Sequence, residues 1–131
     1  MEEKNISEVE EHNQQGKVLF SLEKYNEAIE MYKNAESEDP MYLESYFNLG
    51  EAYVMLDEYN KAKESFNKVL LIDKKNAITY FHLGNVEFLQ GNNDMGREYY
   101  AKAINNGYDD AQLYVNMGNV AEQAGNDEEA I

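Results

Sequence analysis

The sequence predicts an all-α fold, a superhelical stack of antiparallel helix hairpins (an α-solenoid), and three observations predict it. Glycines recur every 34 residues, at Gly16, Gly50, Gly84 and Gly118. Columns of like residues keep phase with those glycines. Turn residues then divide each period into two amphipathic stretches. A hairpin of this size cannot bury its apolar face alone, so neighbouring copies have to stack to close a core.

Four residues before each glycine stand His12, Tyr46, Tyr80 and Tyr114, and one before stand Gln15, Leu49, Leu83 and Met117. Twelve residues after stand Ala28, Ala62, Gly96 and Ala130, all small. Sixteen after stand the aromatics Tyr32, Phe66 and Tyr100, and nineteen after stand Ala35, Val69 and Ala103. In the second period Tyr46, Leu49, Gly50 and Tyr53 fall at i, i+3, i+4 and i+7, one face of a helix. Tyr59, Ala62, Phe66, Val69 and Leu70 mark the inner side of the helix that follows. Asp39-Pro40 ends the first period, because proline cannot continue the preceding helix. Gly91-Asn92-Asn93 and Gly125-Asn126-Asp127 carry turn chemistry within the third and fourth. The pattern predicts helices over 7–21, 25–37, 41–55, 59–72, 77–89, 93–105 and 111–123. Small residues at two fixed places let paired axes approach, a glycine on the first helix meeting an alanine on the second, with aromatics filling the space around that contact. Gly96 keeps its place small at a cost of about 1 kcal/mol relative to alanine in a helix interior.

The 34-residue period, the Tyr-x-x-Leu-Gly-x-x-Tyr run at 46–53, the small and aromatic second-helix columns and Asp39-Pro40 together resemble the tetratricopeptide repeat family over residues 9–131. The resemblance implies a lead-in at 1–8, full units at 9–42, 43–76 and 77–110, and a partial unit at 111–131. His12 and Gln15 weaken the pattern in the first unit, Lys74 and Tyr108 replace the unit-closing proline, and Glu87 replaces a large apolar residue. The fourth unit stops one residue past Ala130, so the chain is expected to be a piece of a longer array; the alternative is that another chain, such as a second copy, covers the open C-terminal face.

Composition narrows the function. Twenty-six acidic against 11 basic residues give a formal charge of −15, which repels nucleic-acid backbones and anionic membranes. The chain has no cysteine, and neither a signal-peptide pattern nor an apolar run of about 18 residues is present, so a cytoplasmic setting is expected. No phosphate loop, metal-binding His or Cys pair, or calcium-loop spacing occurs, so no metal, cofactor or catalytic residue is expected.

The resemblance further implies that first helices line a concave groove. Its candidate residues are Lys17 and Phe20 in the first unit, Glu44, Phe47, Asn48 and Glu51 in the second, and Ile78, Phe81, His82, Asn85 and Phe88 in the third. Apolar residues at the middle of such a groove, rimmed by polar ones, fit a protein-binding surface. Groove charges are Glu10, Glu44, Glu51 and Glu122 against Lys17 alone. The cluster with which some family members grip a chaperone's acidic tail is matched only at Asn48. Asn13 and Lys17 stand transposed, and Ile78 and His82 take the places of a lysine and an arginine. The expected function is an interaction scaffold for a protein or peptide segment that is apolar with basic flanks. The alternatives are a structural or self-association module and a helper domain of a larger protein.

Overall fold

A computed structural model describes the backbone over residues 2–118 and the side chains over 8–118. It contains α1 (Glu2–Ser21), α2 (Tyr25–Glu38), α3 (Leu43–Met55), α4 (Tyr59–Ile72), α5 (Ala77–Leu89) and α6 (Asn93–Asn105). A further helical stretch covers 111–118, and no strand occurs among the described residues. The helices lie where the periodicity places them, except that α1 begins at Glu2 rather than near residue 7. Residues 119–131 fall outside the described residues. With them fall the expected end of the last helix at 123, the cut in the fourth unit at Ala130, and much of the C-terminal face proposed for self-association.

The chain divides into two compact units, Met1–Lys75 and Asn76–Ile131. In the first, α1 pairs with α2, α3 with α4, and α2 also packs on α3. The core is Ala28, Ile29, Tyr32, Ala35, Tyr46, Leu49, Ala52, Tyr53, Ala62, Phe66 and Val69, all from the expected columns and helix faces except Ile29 and Ala52. The second unit pairs α5 with α6 around Phe81, Tyr100, Ala103 and Leu113.

Glycine's role differs in one respect from the sequence expectation. A Cβ on Gly16 would lie 2.3 Å from the Tyr32 ring, and on Gly50 or Gly84 it would lie 2.4 Å from the rings of Phe66 and Tyr100. The glycine therefore makes room for the aromatic sixteen residues later, which lies directly on its backbone. The small residue twelve later is not the main contact. Gly96 has its own reason to be small: a Cβ there would come within 2.6 Å of the Phe88 ring. The two preceding 34-residue repeats have Phe20 and Val54 at the place of Phe88, and keep alanine opposite.

The turns inside the hairpins are built alike. Lys24, Glu58 and Asn92 donate backbone N–H bonds to the carbonyls of Leu19, Tyr53 and Glu87 at 2.9, 2.9 and 2.8 Å. The residue before each of them, Glu23, Asp57 or Gly91, has a positive φ of 62°, 58° or 84°. This is the Schellman stop, which captures the last free carbonyls of the helix and favours glycine at the left-handed residue. Between hairpins, Tyr46 donates its hydroxyl to the Pro40 carbonyl at 2.7 Å. Lys68 on α4 reaches Glu36 on α2 at 3.4 Å and lies 5.4 Å from the Tyr46 ring centre.

Candidate functional site

In the first unit, one face of α3 presents Glu44, Phe47, Asn48 and Glu51 at i, i+3, i+4 and i+7. Lys17 and Phe20, one turn apart on α1, face them. These six residues and Tyr32 of α2 line a hollow of about 340 Å³. All six of the groove residues expected in this part of the chain therefore meet at one place.

The aromatic walls are held by neighbours. Phe47 meets Phe66 edge-on at 5.7 Å, and Phe20 meets Tyr25 edge-on at 5.2 Å. Both remain half-buried, so each keeps ring surface toward the hollow. Asn48, buried deeper, is committed to the fold. Its amide donates to Asn13 at 3.1 Å, and Asn13 donates to Ser45 at 3.1 Å and to the Val9 carbonyl at 3.2 Å. That network ties α1 to α3 with its buried polar atoms satisfied.

Charge is concentrated at the rim. The Lys17 ammonium lies 2.5 Å from a Glu44 carboxylate oxygen, with both side chains nearly half exposed. Glu51 is more enclosed. Burial raises its carboxyl pKa, and the Lys17 charge opposes that rise. Tyr32 is pushed up to about 12, first by burial and then by the Glu51 and Glu44 carboxylates. The tyrosine is only 2% exposed, and its hydroxyl makes no hydrogen bond among the described residues. Sequence reasoning assigned Tyr32 to the core alone. A signal was present in its column: Phe66 fills the corresponding place without a hydroxyl, so packing there does not require one.

The second unit treats its five expected groove residues differently. Phe81 is not a groove residue. It is 8% exposed and stacks on Tyr108 at 4.7 Å and on Tyr100 at 5.4 Å. Tyr108, at the place of the unit-closing proline, supplies the ring that covers it; at the matching place after Phe47 stands Lys74, which has no ring to offer. Phe88 is likewise drawn inward, half-buried and edge-on to Tyr100 at 4.9 Å. Asn85 accepts a hydrogen bond from the Tyr100 hydroxyl, and Asn116 donates to that hydroxyl at 3.0 Å. His82 is half-buried, and desolvation lowers its pKa to about 4, so it is neutral at pH 7. Ile78 is 44% exposed.

Among the described residues, no group of three or more His, Cys, Asp or Glu is placed to hold a metal ion. The first-unit hollow offers two carboxylates, one ammonium, one unengaged hydroxyl and two aromatic walls. That combination suits capture of a side chain with apolar and cationic parts.

Comparison with known proteins agrees with the repeat. A family model described as TPR repeat matches residues 16–57, and models described as tetratricopeptide repeat match 43–76 and 81–131. Among solved structures, MamA is 28% identical, with a TM-score of 0.81 over 94% of this chain and 72% of its own. The TPR domain of Sgt2 from Aspergillus fumigatus is 22% identical, with a TM-score of 0.82 over 93% of this chain and 82% of its own. The first TPR of Spaghetti (RPAP3), bound to the HSP90 peptide SRMEEVD, is 17% identical, with a TM-score of 0.83 over 91% of this chain and 94% of its own. No curated protein sequence matches significantly.

Proposed function

Because the chain belongs to the tetratricopeptide repeat family, we propose that it is a protein-interaction scaffold, holding a partner segment at the hollow of its first unit. The observation that carries this reading is the meeting of Lys17, Phe20, Glu44, Phe47, Asn48 and Glu51 around one space of about 340 Å³. Half-buried Phe20 and Phe47 supply apolar anchorage. Glu44 and Glu51 outnumber Lys17 and favour positive charge on either side of the anchor. A binding role without catalysis belongs to the same reading, as does a cytoplasmic setting. Among the described residues, no helix is long and apolar enough to cross a membrane.

The acid-tail mode seen with the Spaghetti peptide does not suit these residues. Asn13 and Asn48 spend their amides on each other and on Ser45, Lys17 is neutralised by Glu44, and His82 carries no charge at neutral pH. Selection of peptides from a random displayed library tests the proposal. Recovered sequences should pair large apolar residues with Arg or Lys, and Phe47→Ala should abolish their capture. Recovery of acid-ended sequences, or capture that survives both Phe20→Ala and Phe47→Ala, places the site elsewhere.

A further inference from the structure

The hollow of the first unit holds a cation of its own. Lys17 reaches across from α1, its ammonium 2.5 Å from Glu44, and its charge also acts on Glu51. Two carboxylates against one ammonium leave the space with one negative charge in excess. Below them lies Tyr32, 2% exposed, with a hydroxyl that makes no hydrogen bond among the described residues. The corresponding hydroxyl in the second unit, on Tyr100, is engaged by both Asn85 and Asn116. Among the described residues no buried side-chain oxygen lacks a partner, so the Tyr32 hydroxyl opens on the hollow, where it is a hydrogen-bonding position within reach of a group from outside the chain.

Resting on the reading that this unit holds a partner segment, we propose that the hollow is the subsite for one arginine side chain of that segment, and that Lys17 is the resident ion it displaces from Glu44. A guanidinium presents five N–H donors in one plane. That is enough to serve Glu44, Glu51 and the Tyr32 oxygen together, while its faces lie against phenyl rings such as Phe20 and Phe47. It is also more weakly hydrated than an ammonium, so it enters a partly enclosed space at lower cost. An ammonium is a point charge on a flexible stem, and Lys17 already pairs with Glu44 in that way. Displacing Lys17 returns it to water, where a half-exposed lysine loses little.

Fluorescence anisotropy on the full chain tests this with an end-blocked, labelled peptide bearing a single arginine among leucine and glycine residues. Its twins carry citrulline or lysine at that place. The arginine peptide should bind about tenfold more tightly than the uncharged citrulline peptide, as charge-assisted hydrogen bonds require. It should also bind more tightly than the lysine peptide. Glu51→Gln should erase the preference over citrulline. Lys17→Gln, which removes the resident ion, should tighten the arginine peptide severalfold. Equal binding of arginine and citrulline peptides, with Phe47→Ala still weakening both, overturns the subsite and leaves the scaffold reading standing. Binding indifferent to Phe47→Ala, or no measurable binding of any of the three, overturns both. A weaker arginine complex with Lys17→Gln makes Lys17 a partner of the ligand and overturns the displacement.

Discussion

Tyr32 and Tyr100 occupy the same place in their repeats, and the chain uses them in opposite ways. Both lie on the glycine of the preceding helix, and both are almost wholly buried. In the second unit, Asn85 and Asn116 close around the Tyr100 hydroxyl, and Phe81 and Phe88 pack against its ring. In the first unit, Lys17 stands where Asn85 does, and Glu51 adds an unbalanced charge nearby. The asparagine at the place of Asn116 is Asn48, and it turns to Asn13 instead. The Tyr32 hydroxyl is left toward the hollow. One repeat geometry therefore yields a self-satisfied interior in one unit and an open site in the other, and a few polar residues decide which.

The largest effects lie at the rings. If both serve packing equally, Tyr32→Ala and Tyr100→Ala should each cost about 3–5 kcal/mol in denaturant unfolding. A much smaller loss at Tyr32 would mean that its ring is not core. Removing only the hydroxyls should separate the two. Tyr100→Phe leaves Asn85 and Asn116 without their shared partner and should cost about 1–3 kcal/mol, whereas Tyr32→Phe should change stability by less than about 0.5 kcal/mol. Equal losses would show that Tyr32 is engaged after all.

The turns offer a smaller contrast. The first unit places Glu23 and Asp57 in the left-handed region where the second uses Gly91 and Gly107. Glu23→Gly or Asp57→Gly should therefore raise stability by about 1 kcal/mol, as relief of left-handed strain at an L residue predicts. Loss of stability at either site would show that the side chain matters more than the backbone.

The smallest effect concerns pH. Burial holds the Glu51 carboxyl above its ordinary value of 4.5. The folded state then binds that proton more tightly than the unfolded state does. Charged Glu51 consequently costs stability at neutral pH, and the cost is relieved as pH falls through the raised value toward 4.5. Glu51→Gln should stabilise the chain slightly at pH 7 and remove this component of its pH profile. A destabilised Gln variant at pH 7 would mean that the Lys17 attraction outweighs burial.

Much of this architecture is legible in the sequence, because glycine spacing and aromatic columns report steric requirements that hold in every repeat. Gly16, Gly50 and Gly84 each face a ring that leaves no room for a Cβ. The first-unit site is legible for a related reason: Glu44, Phe47, Asn48 and Glu51 share one face of a single helix. What escapes is decided by contacts between distant residues. Phe47 and Phe81 are equivalent in the repeat, and only Tyr108, 27 positions after Phe81, turns the latter into core. Asn48 reads as a polar group free to meet a ligand, yet its amide donates to Asn13, so it lines the hollow with that donor already committed to the fold. Tyr32 reads as packing until its lack of a hydroxyl partner is known.

On the reading proposed above, the first unit holds an open hollow, whereas the second has filled its own. Proton NMR of the full chain with selectively labelled Tyr and Phe rings, titrated with the single-arginine peptide, distinguishes the two units. The Tyr32, Phe20 and Phe47 ring signals should move with a common affinity while those of Tyr100 and Phe81 stay in place. Movement centred on Tyr100 and Phe81, with Tyr32 unchanged, would contradict that reading.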